Sequence, residues 1–181
     1  AKDVKIQIEF NPAKVKSYRL IGYENRLLNK EDFNDDKKDA GELGSGHTVT
    51  ALYEIILFDS QESTSNVDAL KYQTTITNDS AKDSNEILTV KLRYKSPEGN
   101  NSQLITMPVT EILTEFDESS DDFRFSSAVA AFGMLLRDSE FKGDLSYEQI
   151  QEIAKQAKGK DLQGYRSEFV KLIELAEVLA K

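Results

Sequence analysis

The stretch Gly44-Ser45-Gly46-His47-Thr48-Val49-Thr50-Ala51-Leu52-Tyr53-Glu54-Ile55-Ile56-Leu57-Phe58-Asp59 decides the class of fold. Two glycines break a polar loop, and residues 48–58 then carry β-branched and aromatic side chains at strand density. Val49, Ala51, Tyr53, Ile55 and Leu57 fall on one face of such a strand; Thr48, Thr50, Leu52, Glu54, Ile56 and Phe58 fall on the other. At ~3.3 Å per residue it would run roughly 36 Å. Both faces turn apolar toward its end, which predicts cover on both sides there. The stretch is the expected spine of a β-domain.

Upstream, Val4, Ile6, Ile8 and Phe10 alternate with Lys5, Gln7 and Glu9, a half-buried first strand whose outer face is polar. Asn11-Pro12 turns the chain into a second strand over residues 15–23. Residues 24–46 dissolve into Asn, Asp, Lys and Gly, with Leu27, Leu28, Phe33 and Leu43 as anchors, a loop long enough to be functional. Downstream of a Ser/Thr/Asn linker come Leu70, Tyr72, Thr74 and Ile76, then Leu88, Val90, Leu92 and Tyr94, each alternating. Ser96-Pro97-Glu98-Gly99 is turn chemistry leading to a sixth strand near residues 104–110, where Pro108 lacks a donor and so puts that strand at an edge or a bulge. Six strands with no helix between them predict an antiparallel sandwich over residues 1–116.

At Phe116 the period changes from two to about 3.6. Phe125, Val129, Phe132 and Leu136 make one helical stripe, flanked by Ala128, Ala131 and Leu135, with Ser119-Ser120-Asp121-Asp122 as caps. Ser146-Tyr147-Glu148-Gln149 is a capping box opening a second helix that stops at Gly159. Tyr165, Phe169, Leu172, Ala176 and Leu179 form the expected seam of a third, with Phe169 and Leu172 buried. The expected architecture is α+β: an antiparallel β-sandwich, then a three-helix tail over residues 117–181 packed on it as one compact unit.

The 181 residues contain no cysteine and a net charge of −9. Residues 1–116 hold 14 basic and 19 acidic side chains and residues 117–181 hold 9 and 13, so neither half offers the clustered cations that nucleic acid or an anionic membrane needs. Neither a membrane-spanning apolar run nor a signal peptide is present. The start Ala1-Lys2-Asp3-Val4 enters a strand almost at once, as expected of a piece of a longer chain.

Chemistry-bearing residues are sparse. His47 is the sole histidine, and without cysteine or a second histidine it cannot anchor a zinc site or a catalytic triad; it reads as a loop brace. The acidic loop, residues 31–42, invites a calcium reading with Asp32, Asn34 and Asp36 as alternating ligands, but Lys37 stands where the loop glycine belongs and Leu43 where the bidentate Glu belongs. Asp59-Ser60-Gln61-Glu62-Ser63 fails the Asp-x-Ser-x-Ser metal pattern at Gln61. Asp35-Asp36 and Asp121-Asp122 are sequence neighbours whose carboxylates diverge, poor material for acid–base work. The residues therefore give no catalytic, cofactor or metal site.

Four stretches carry a resemblance: residues 10–26 (Phe10-Asn11-Pro12-Ala13-Lys14-Val15 through Arg26), residues 39–54 (Asp39-Ala40-Gly41-Glu42 through Glu54), residues 128–137, and Gly164-Tyr165-Arg166-Ser167-Glu168-Phe169. Together they resemble the region after the von Willebrand factor type A domain in bacterial YfbK-type proteins, many of which resemble lipoproteins of the cell envelope. The resemblance implies location and company: periplasmic or surface-exposed, in a lipid-anchored parent. The absence of any nucleophile–base–orienter set makes a non-enzymatic interaction or structural module the expectation. The partners the resemblance implies are the adjacent type A domain of the same chain and other proteins, with no nucleic acid and no membrane insertion by this segment. The competing expectation is a metal-dependent binder or enzyme using the acidic loop 31–42 with His47.

Overall fold

The computed structural model describes residues 1–23, 27–58, 77–110 and 114–180. The chain divides into two compact units, Ala1–Ile112 and Leu113–Lys181. The first holds strands β1 (Lys2–Phe10), β2 (Val15–Ile21), β3 (Leu52–Leu57), β4 (Glu86–Lys95) and β5 (Gln103–Thr110), with one short helix, α1 (Asp79–Asp83), before β4. The second holds α2 (Asp121–Leu136), α3 (Tyr147–Gln156) and α4 (Tyr165–Leu179). The class is α+β, as the two periods in the sequence require.

Two antiparallel sheets make the β-unit, β1-β4-β5 and β2-β3. They meet as a loose sandwich at Phe10, whose ring stacks on Tyr18 at 4.0 Å and meets Tyr53 edge-on at 5.5 Å. Burial there pushes the Tyr53 phenol up, with the Tyr18 phenol adding to the effect. The Asn11-Pro12 turn joins the sheets through one side chain. Asn11 Nδ2 donates to the carbonyls of Ala81 and Glu86 (2.9 and 2.8 Å), and its Oδ1 accepts the Ala13 N–H at 2.9 Å.

The spine differs from expectation. Residues 48–51 stay outside the strand, and β3 runs only six residues, because β2, its one partner among the described residues, stops at Ile21 opposite Leu52. A strand is no longer than the ladder that satisfies its backbone. Phe58, expected to be covered, is exposed. The central strand is instead the ten-residue β4, paired on both sides. Pro108 lies in β5, an edge strand, as its missing donor requires. The alternating run at residues 70–76 and the pattern at 59–63 lie outside the described residues.

Register gives the β1-β4-β5 sheet two unlike faces. Ile6, Leu92 and Ile105 stand abreast, as do Ile8, Val90 and Met107, then Phe10, Leu88 and Val109. The opposite face carries Lys5, Gln7, Glu9, Lys91, Arg93 and Lys95. Among the described residues β1 is the other edge strand. Its start is held by the Val4–Gly41 bridge and by mutual hydrogen bonds between Ala1 and Leu43, both 2.9 Å.

The helical unit closes around Ala128, Ala131, Phe132, Ile150, Ala154, Val170 and Ile173. Ser120 caps α2 by accepting from Phe123, and the Ser146/Gln149 box caps α3 in both directions. The buried stripes are rotated from those expected. Val129 and Leu136 on α2 are exposed, as are Tyr165, Leu172 and Leu179 on α4, while Val170 and Ile173 are buried. Small residues explain the rotation: Ala128, Ala154 and Ala157 let the backbones approach, so they occupy the contact line and larger side chains flank it. Phe169 is held as expected, edge-on to Phe125 and Phe132 at 5.4 and 5.5 Å. Among the described residues no helix is long and apolar enough to cross a membrane.

Candidate functional site

The acidic loop, with His47, carries the competing functional expectation, and the sheet explains what the loop does. Strand alternation places Lys5, Arg93 and Lys95 on one face, with Lys5 directly opposite Arg93. Like charges opposed across a ladder repel, so this face needs acceptors. The loop supplies them. Its single turn, Lys30–Phe33, lays Phe33 (4% exposed) under the Arg93 guanidinium, 5.5 Å from the ring centre.

The loop's backbone then wraps the two ammoniums. Lys5 Nζ donates to the carbonyls of Asp32 (3.1 Å) and Asp35, and Lys95 Nζ to the carbonyl of Asp36 (2.6 Å). Lys95 also pairs with Asp3 at 2.7 Å. Asp3 has φ 53° at the register shift in β1, which turns its carboxylate toward Lys95. That hydrogen bond, chiefly, holds the Asp3 carboxyl below its ordinary range. Lys5, expected on the solvent face, is 3% exposed and Lys95 is 8%. Buried lysines require such partners.

The three residues proposed as alternating calcium ligands part company. The Asp32 carboxylate pairs with Lys38 at 3.2 Å and accepts from Asn29 at 3.1 Å. Asn34 Oδ1 accepts from Arg93 at 3.1 Å. Hydrogen bonds from Ser102, first its side chain and then its backbone, keep the Asp36 carboxyl low. The carbonyl oxygens that could face a cation are turned onto lysines. Among the described residues, no three His, Cys, Asp or Glu side chains gather as a metal would require.

His47 closes the turn after Gly44, its N–H donating to the Gly44 carbonyl at 3.2 Å. Its ring lies beside Gly44, where an added Cβ would sit 3.1 Å from Nδ1, so a side chain there would need the imidazole to shift by a few tenths of an ångström. The imidazole is exposed, and the hydrogen bond that closes the turn comes from the backbone of His47.

In the helical unit, Gly164-Tyr165-Arg166-Ser167-Glu168-Phe169 builds the start of α4. Gly164 occupies the cap position at φ 77° and has no side chain to cap with. Asp161 does so instead, accepting the N–H groups of Arg166 (3.0 Å) and Ser167 (2.8 Å) and the Ser167 hydroxyl (2.6 Å). These bonds, the hydroxyl's foremost, hold the Asp161 carboxyl below its ordinary value against the opposing effect of burial.

Arg166 lies 4.8 Å from the Phe125 ring centre, donates to the Ala157 and Lys158 carbonyls at the end of α3 (3.2 and 3.4 Å), and pairs with Asp122. A cation there complements the helix terminus. Asp121 pairs separately with Arg124 at 2.6 Å, so the adjacent carboxylates diverge as expected. The sequence flagged this motif without a role; the role is tertiary, and no local pattern encodes it.

The site is therefore a set of internal ion pairs and caps in an α+β module of antiparallel sheets and C-terminal helices. The chain belongs to the YfbK C-terminal family: the family model described as "Uncharacterized protein YfbK, C-terminal" matches residues 1–179. It is 46% identical over 177 residues to "Uncharacterized protein YfbK" of Escherichia coli (strain K12), covering 98% of this chain and 30% of that protein. The chain thus spans less than a third of the length of that relative. No solved structure matches it.

Proposed function

We propose that this chain is a non-enzymatic interaction module of a longer bacterial cell-envelope protein, making protein–protein contacts with an adjacent von Willebrand factor type A domain of the same polypeptide. The observation that supports it most is the acidic loop. Its inward oxygens are engaged by Lys5 and Lys95, and its side-chain oxygens by Lys38, Arg93 and Ser102. Catalysis needs a nucleophile, a base and an orienting group within reach of one another, and His47 stands exposed on its own turn. The type A partner and the envelope location, periplasmic or surface-exposed in a lipid-anchored parent, follow from the family resemblance. A relative more than three times longer than the matched segment leaves room for such neighbours.

Calorimetric titration with calcium, magnesium and zinc separates this reading from a metal-dependent binder or enzyme. Heats of dilution alone are expected. A saturable one-to-one heat that disappears in Asp36→Asn would establish the metal reading instead.

A further inference from the structure

We propose that the apolar face of the three-stranded sheet, carried by Ile6, Ile8, Val90, Leu92, Ile105 and Met107, seats an apolar segment of the same polypeptide that lies outside these 181 residues. The inference rests on the interaction-module reading and names the surface and the kind of partner. The acidic loop covers the Lys5, Arg93 and Lys95 end of the opposite face. Among the described residues this face is open along β1 and β5, where Ile6 is 52% exposed, Ile105 49% and Met107 59%, while Ile8, Val90 and Leu92 are half-buried and the Phe10 end meets the β2-β3 sheet. Strands hold these side chains in two adjacent rows, Ile6–Leu92–Ile105 and Ile8–Val90–Met107, without a charge among them. A contiguous uncharged patch marks a docking surface for an apolar partner.

Size decides between a separate and a tethered partner. With strands ~4.8 Å apart and same-face residues about 6.8 Å apart, the two rows cover roughly 14 by 14 Å, or about 200 Å², the next row being covered at Phe10 by Tyr18 and Tyr53. Stable association of separate molecules takes about 800 Å² on each side. A second copy is therefore too weakly held by this patch. A tethered segment, present at millimolar effective concentration, is held by far less area. The E. coli relative, matched over 30% of its length, has ample chain beyond this region to supply one. The footprint also suits one helix, about 10 Å across.

The test places photoreactive benzoylphenylalanine at position 107 of the full-length polypeptide. Irradiation is expected to give an internally linked species of single-chain mass, its cross-linked peptide outside residues 1–181, and the link is expected to be lost on adding Ile105→Lys. In the unsubstituted full-length protein, Met107 should resist peroxide as the buried Met134 does. A dimer-mass product, a link within residues 1–181, or no link with Met107 readily oxidised overturns the proposal. An open face with type A binding intact removes this surface and leaves the module reading standing; loss of type A binding removes that reading whatever position 107 touches.

Discussion

Replacing Lys5 by Met removes one ammonium from beneath the acidic loop while keeping an unbranched apolar stem in its place. Lys5 is 3% exposed, and its head group serves two loop carbonyls, those of Asp32 and Asp35. Each charge-assisted bond contributes about 1.5–3 kcal/mol, and an orphaned buried acceptor costs about 1–3 kcal/mol. Two effects oppose this: the ammonium no longer needs desolvation, and water reaches carbonyls in a loop whose flanking residues 34–39 are exposed. The net loss comes to roughly 2–4 kcal/mol. In a domain of this size that lowers the melting temperature by roughly 10–20 °C. The assay is calorimetric melting combined with peptide-resolved hydrogen exchange. Protection should fall across residues 29–39 and the start of β1, and stay unchanged over residues 146–176. A melting point within about 2 °C of the parent would refute the claim that the lysines close the loop, since the two bonds cannot then be worth what their burial requires.

Ile173→Ala should cost about 2–5 kcal/mol, whereas Leu172→Ala, one position along α4, should cost less than about 1 kcal/mol in urea melts; equal effects would contradict the buried stripe on α4. Asp161 bears on pH. Its folded carboxyl is held below the unfolded value, so its stabilising contribution is fully present above the ordinary aspartate pKa of about 3.9 and is lost as pH falls through the lowered value. Asp161→Asn should therefore lower stability at neutral pH and flatten the pH dependence of α4 unfolding in that acid window, followed by circular dichroism. A steeper dependence in the variant would count against the cap.

What the sequence made legible is what adjacent residues decide. The Ser146/Gln149 box and the Ser120 cap are three-residue reaches, and the structure places both as read. Alternation located β1, β4 and β5, and the missing donor of Pro108 put β5 at an edge. The rest depended on partners. Thr48–Ala51 have strand-forming side chains but no ladder, because β2 is only seven residues long. The stripes on α2 and α4 were set by where alanines allow close approach, not by where the largest residues recur. Alternation put Lys5 on a polar face, yet could not say that a loop some thirty residues away in sequence covers it. The same limit kept the candidate site out of reach: Asp32, Asn34 and Asp36 look like alternating ligands, and only their partners, Lys38, Arg93 and Ser102, reveal internal pairing.

The interaction-module account is tested most directly by titrating the proposed type A domain, as an isolated domain, into this module, calorimetrically, with and without chelator. Saturable one-to-one binding, unchanged by the chelator on the module side and retained in His47→Ala, is the predicted result. Absence of binding at high micromolar concentrations, or binding that vanishes with Asp36→Asn and returns only with added cation, would contradict it.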